Sequence, residues 1–185
     1  MNELNVKTKK GFTLWFTGLP NSGKSTLAEA VADELKKQGL QTERLDKDLF
    51  RQTISKDLGS SPEDIQKNNG RVAFIAHFLT KNGIIIITFF ASPYLKNREK
   101  AREQINNFVE VYVKCPLEEC IKRDTRGNYK KALAGEISNF IGISQPYEEP
   151  KNSEIVVETN KENITQCLKN NQCSQETGVL TLKWQ

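Results

Sequence analysis

The sequence predicts an α/β fold: a central, mostly parallel five-stranded sheet in a three-layer arrangement, with a mobile lid. Two observations carry this. Short apolar, β-prone runs alternate with helix-like runs along the chain, the pattern that builds parallel sheets. The run Gly18-Leu19-Pro20-Asn21-Ser22-Gly23-Lys24-Ser25-Thr26 fits G-x-x-x-x-G-K-[ST]. It sits between the first β-prone run and the first helical one, where a phosphate loop must sit. The fold is therefore expected to be like that of the phosphate-loop NTPases.

In chain order, the first strand is read at residues 12–17 and the first helix at 24–38, stopped by Gly39. A second strand covers 42–46. A long helix is expected over 62–81, with Ser61 as N-cap, Asp64 three residues on in a near capping-box spacing, and Asn82-Gly83 as its stop. Gly70 inside it costs about 1 kcal/mol relative to Ala. The third strand, 84–90, lies in the longest apolar run. A helix over 95–105, a strand over 109–114 and a helix from Pro116 to Arg123 follow. Residues 124–150 hold Arg126, Lys130 and Lys131, then Gly127, Gly135, Gly142, Pro146 and Pro150. That composition suits a mobile, partly helical lid over a phosphate site. The last strand is read at 155–158. One domain over 11–170 is expected between a basic tail, 1–10, and a polar tail, 171–185, in which Leu180, Leu182 and Trp184 alternate as a short edge strand would.

Composition narrows the function classes. With 185 residues, 37% hydrophobic and 27% charged, the chain is that of a soluble globular domain. No apolar run reaches membrane-span length, and residues 1–10 lack the apolar core of a secretory signal. A net charge of +4 without a nucleic-acid-binding motif argues against DNA or RNA partners. Cys115, Cys120, Cys167 and Cys173 form no C-x-x-C pair, and His77 is the single histidine. A structural zinc is thus disfavoured, and a reducing, cytoplasmic location is expected. His77, among Phe74, Ile75, Phe78 and Leu79, reads as a packing residue.

The loop Gly18 to Thr26 implies a nucleoside triphosphate. Its backbone N–H groups and the helix N-terminus behind it cradle phosphates. Lys24 reaches the β- and γ-phosphates, and Ser25 holds Mg²⁺. Asp46 and Asp48, at the C-terminal end of the second strand, face the ligand crevice. One carboxylate there can serve as general base on an attacking hydroxyl, and one can hold Mg²⁺ through water. At the end of the third strand Ser92 either contacts substrate or shapes the Ser92-Pro93 turn.

Beyond the loop, Leu45–Asp48, Ser92-Pro93-Tyr94, Tyr129-Lys130-Lys131-Ala132, Gly135-Glu136-Ile137, Asn139-Phe140 and Pro146-Tyr147 stand in the order and spacing of the adenylyl-sulfate kinases. The chain resembles that family from about residue 11 to 159. The resemblance implies transfer of the γ-phosphate of ATP to the 3′-hydroxyl of adenylyl sulfate, dependence on Mg²⁺, and a homodimer. It implies Asp48 at the acceptor hydroxyl, and Arg51, Asn68, Arg71, Ala91, Ser92, Phe140 and Ile141 on the acceptor nucleotide. Ser92 matches a serine phosphorylated in some members. Arg123, Arg126, Lys130 and Lys131 would belong to the lid over the phosphates. The departures fall on the acceptor side: Lys47 where the family has Gly, Ser60 for Phe, Ile65 for Arg, Gly70 for Arg, Arg126 for Lys and Ile141 for Thr. They raise two alternatives: a kinase of the same fold with another nucleotide acceptor such as cytidine diphosphoramidate, and a non-enzymatic nucleotide-binding module.

Overall fold

The computed structural model describes residues 11–161. Both expected tails, the C-terminal boundary of the domain, the proposed edge strand, Cys167 and Cys173 lie outside the described residues. The strands are β1 (Thr13–Thr17), β2 (Thr42–Leu45), β3 (Ile85–Thr88), β4 (Phe108–Lys114) and β5 (Ile155–Glu158). They form one sheet in the order β2-β3-β1-β4-β5, and every pairing is parallel.

The helices are α1 (Lys24–Lys37), α2 (Lys47–Gln52), α3 (Pro62–Lys81), α4 (Leu95–Gln104), α5 (Leu117–Lys122) and α6 (Asn128–Leu133). β1 is buried along its whole length, as the middle strand of a two-faced sheet must be. The two-residue period splits its side chains between the layers. Leu14 and Phe16 pack with Leu27, Val31 and Leu35 of α1 and Val109, Val111 and Val113 of β4. Trp15 packs on the other face with Val72, Ala73 and Ala76 of α3 and Ala101 of α4. The result is the three-layer sandwich expected.

α3 keeps its expected bounds because its signals are local. Ser61 Oγ accepts the Asp64 N–H at 3.1 Å, and Pro62 opens the helix. Asp64 Oδ2 does not reach back to the cap residue; it accepts the Gly59 N–H at 3.0 Å and tethers the preceding loop. Pro116 is the residue before α5 rather than its first. α2 is a helix the sequence pattern did not indicate. It has one buried residue, Phe50, so no apolar stripe marks it. Its start is set by Asp46, whose Oδ1 accepts the N–H groups of Asp48 at 2.6 Å and Leu49 at 3.0 Å. His77 is half-buried on α3. Cys115 and Cys120 are free and buried. No described helix is long and apolar enough to cross a membrane.

Candidate active site

The phosphate loop leaves the C-terminal end of β1 and enters α1. Backbone shape demands its glycines. Gly18 has φ 151, and a Cβ there would lie 2.5 Å from the Val113 carbonyl oxygen and 2.8 Å from Ser22 Oγ. Gly23 has φ 96 immediately before α1. Lys24 is buried, 8% exposed, and its Nζ donates to the Leu19 carbonyl at 2.5 Å, curling the side chain back over the loop. Burial pulls its pKa from 10.5 down to about 7, and the neighbouring Lys47 ammonium pushes the same way. Ser25 and Thr26 are exposed in the first turn of α1.

The second half of the chain braces this loop. Thr159, just past β5, donates its hydroxyl to the Ser22 carbonyl at 2.8 Å. Arg123 donates to the Thr159 carbonyl at 2.9 Å and hydroxyl at 3.2 Å. The Tyr129 hydroxyl, on α6, donates to the Pro20 carbonyl at 2.9 Å. Tyr129 meets Phe140 edge-on at a centroid distance of 4.8 Å. Gly142, at φ 90, lets residues 140–143 lie against Leu19, since a Cβ there would come within 2.8 Å of the Leu19 side chain.

Beside the loop lies a cavity of about 190 Å³. Six of the residues that the resemblance implies for the acceptor line it: Arg51, Asn68, Ala91, Ser92, Phe140 and Ile141. Pro20 of the phosphate loop is part of its wall, so donor loop and cavity adjoin. Lys47, Ser60 and Ile65, all departures from the family pattern, line it too. Arg51 is held in place by two bonds of 2.6 Å from Nη1 to the carbonyls of Leu58 and Gly59.

Ser92 is almost wholly buried, and its φ of 43 lies in the left-handed region, unusual for a residue with a Cβ. Its carbonyl is pinned by Arg98 Nη1 at 2.5 Å and by Thr17 Oγ1 at 3.3 Å. Its hydroxyl donates to Asn69 Oδ1 at 3.5 Å. Ser92 thus both shapes the turn and lines the cavity.

The remaining expected residues are placed elsewhere. Asp46 and Asp48 stand at the start of α2, on either side of Lys47, and neither lines the cavity; Asp46 caps the helix and Asp48 is exposed. Arg71 points away. It pairs with Asp57 through bonds of 2.5 and 2.8 Å and donates to the Ile54 carbonyl at 2.7 Å. That guanidinium holds the Asp57 carboxyl down to about 2. Arg126, Lys130 and Lys131 are exposed and outside the cavity wall.

Several residues that matter here escaped the sequence reading. Asn69 lines the cavity, 4% exposed, and its Nδ2 has no partner among the described residues. Whichever way the amide is turned, one of its polar atoms is unmatched. Gln145, also buried, donates to the Ser60 carbonyl at 2.7 Å and accepts from the Tyr94 hydroxyl at 3.2 Å. It fastens residues 140–148 to the loop before α3. Arg98 sits 2.7 Å from Glu110 in a buried ion pair and donates to the Glu148 carbonyl at 2.6 Å. Tyr147, from the Pro146-Tyr147 motif, bonds Thr17 Oγ1 at 2.9 Å and stacks on Tyr112. On the sequence Arg98 is one of several charges on a helix without an apolar stripe, so nothing marked it as the buried one. Nothing in local sequence marked Asn69 or Gln145.

The chain was compared with known proteins. The family model described as adenylylsulphate kinase matches residues 10–158. The chain is 50% identical over 154 residues to a probable adenylyl-sulfate kinase of Pseudomonas aeruginosa, covering 83% of this chain and 72% of that one. It is 49% identical over 159 residues to an adenylyl-sulfate kinase of Halothermothrix orenii, covering 86% of each. Among solved structures, the APS kinase of Mycobacterium tuberculosis in complex with AMPPNP and APS superposes with a TM-score of 0.80 at 37% identity, over 84% of this chain and 92% of that one. The match spans the phosphate loop, the cavity beside it and residues 124–150, and this chain belongs to the adenylylsulphate kinase family.

Proposed function

We propose that this chain transfers the γ-phosphate of ATP to the 3′-hydroxyl of adenylyl sulfate. The observation that carries the reading is the shared wall: Pro20 of the phosphate loop also lines the cavity that holds Arg51, Asn68, Ser92 and Phe140. A phosphate on the loop and a nucleotide in the cavity would lie side by side, the placement that in-line transfer needs. The relatives it resembles are adenylyl-sulfate kinases, so neither a cytidine-based acceptor nor a non-enzymatic binding module is favoured.

The loop's N–H groups and the start of α1 hold the triphosphate. Lys24 swings from the Leu19 carbonyl to the β- and γ-phosphates and offsets the charge that develops there. Phe140 offers its ring to the acceptor base, and Arg51, with Nη1 already committed, offers its other N–H groups. Asp48, outside the cavity wall but next to the cavity-lining Lys47, is assigned the proton of the acceptor hydroxyl; the hydroxyl oxygen bonds to the γ-phosphorus as the bond from that phosphorus to the β-phosphate oxygen breaks, releasing ADP. Arg123, Arg126, Lys130 and Lys131 lie on the covering segment, and we place them over the donor phosphates in the closed state.

The donor set fits Mg²⁺. Ser25 presents an exposed hydroxyl in the first turn of α1, and both cap bonds to Asp46 fall on Oδ1, leaving Oδ2 for a water of the ion. Ser25 and, through water, Asp46 would hold Mg²⁺, whose charge would offset part of that on the transferring phosphate. The free thiols Cys115 and Cys120 suit work in the reducing cytoplasm. A homodimer is proposed as well, and the exposed Phe74 and Phe78, one turn apart on α3, offer apolar surface for it.

Purified protein with ATP, Mg²⁺ and adenylyl sulfate should yield ADP and 3′-phosphoadenylyl sulfate in equal amounts, separated by ion-exchange chromatography. ADP formation that ignores adenylyl sulfate but follows a cytidine-based acceptor would overturn the assignment.

A further inference from the structure

The cavity wall shows a cation in one place and lacks one in another. Ile65 of α3 presents an apolar side chain to the cavity and is 8% exposed. Arg71, also on α3, is engaged by Asp57 and does not line the cavity. The cavity-lining residues of α3, Ile65, Asn68 and Asn69, thus carry no charge. The same cavity is lined by Lys47, at the start of α2.

We propose that Lys47 holds the anionic end of the acceptor nucleotide from the start of α2. The inference rests on the kinase reading above. Lys47 is exposed and makes no salt bridge among the described residues. Of its two acidic neighbours, Asp46 is committed to the helix cap. Arg51, another cation on this wall, spends Nη1 on two backbone carbonyls, whereas the Lys47 ammonium has no hydrogen-bond or salt-bridge partner among the described residues. The ligand it suits is a nucleotide with a doubly charged mixed anhydride at its 5′ end, because an ammonium recognises charge without demanding planar geometry.

The test is a double-mutant cycle on the full chain. Lys47→Gln removes the charge and keeps a good helix former. It should raise the Kd and KM of adenylyl sulfate about 10- to 100-fold, the scale of one charge-assisted contact. The KM of ATP should stay within about twofold, as should the Kd of adenosine, which lacks the anion. The loss should shrink as salt rises. Lys47→Arg should keep most of the affinity. Ile65→Arg, made on top of Lys47→Gln, should restore a good part of it by placing a cation on the α3 side of the cavity. Adenylyl sulfate affinity unchanged by Lys47→Gln, or a loss that falls on ATP instead, would overturn the inference, as would failure of adenylyl sulfate to bind wild-type protein. Calorimetry keeps this apart from the activity assignment. If adenylyl sulfate binds in a Lys47-dependent way and is never phosphorylated, the assigned reaction fails and the role of Lys47 stands.

Discussion

Binding of ATP should draw a proton onto Lys24. In the free protein the ammonium is buried against the Leu19 carbonyl, 2.5 Å away, and its pKa is pulled from 10.5 to about 7, first by burial and then by Lys47. A triphosphate laid on the loop favours the charged form and lifts the value again. For a bound value above about 9, linkage gives an uptake of about 0.1 proton at pH 6, 0.5 at pH 7 and 0.9 at pH 8. Between pH 8 and 9 affinity should fall by up to about tenfold. The sign for stability follows from the same shift. The folded chain binds fewer protons at this site than the unfolded chain between about pH 7 and 10.5, so this group adds stability as pH rises through that window. Below pH 7 its burial cost is fully in force. Titration calorimetry at pH 8, in two buffers of different ionisation heat, reads the uptake directly. Lys24→Arg, charged throughout, is the flat control. Heats at pH 8 that do not depend on buffer, or equal uptake by Lys24→Arg, would refute the argument.

Asp48→Asn keeps shape and removes the base. Its kcat should fall at least about 100-fold while ATP affinity barely changes, as measured by single-turnover kinetics and calorimetry. Loss of ATP binding with chemistry intact would make Asp48 a donor-site residue. Glu110→Ala should cost about 3–5 kcal/mol in denaturant unfolding, because Arg98 is left buried without its partner. Arg98→Met with Glu110→Leu should recover much of that.

The strands and the long helix were legible because their signals are local. β5 and α3 have the expected bounds, and the other strands differ by a residue or two. α2 was not legible, because a helix with Phe50 as its one buried residue leaves no period to read. The donor loop could be read from one contiguous motif. The cavity could be read only through family resemblance, since Arg51, Asn68, Ser92 and Phe140 come from four separate segments. Arg71 shows the limit of that route: its place on α3 allowed a role at the acceptor, but Asp57 holds its side chain elsewhere. The covering segment was expected to be mobile. Its residues 145–148 are fastened by Gln145, Tyr147 and Glu148 to Ser60, Thr17 and Pro93, and its basic stretch is anchored at Tyr129 to Pro20. These contacts join residues far apart in sequence, beyond the reach of any local pattern.

The bracing of the phosphate loop also sets an order of events during synthesis. The loop emerges from the ribosome early, as residues 18–26, but its braces come late. Tyr129 joins Pro20 across 109 residues, and Thr159 joins Ser22 across 137. Contacts that close so long a stretch of chain form slowly and after local structure. A nascent chain halted before β5 would carry the whole nucleotide motif, yet Ser22 would lack its hydroxyl partner and Arg123 would have no Thr159 to hold. Such a chain should gain ATP affinity only once residue 159 has cleared the ribosome exit tunnel. Commitment to the native fold and competence to bind ATP would then arrive together, at the end of translation of this domain.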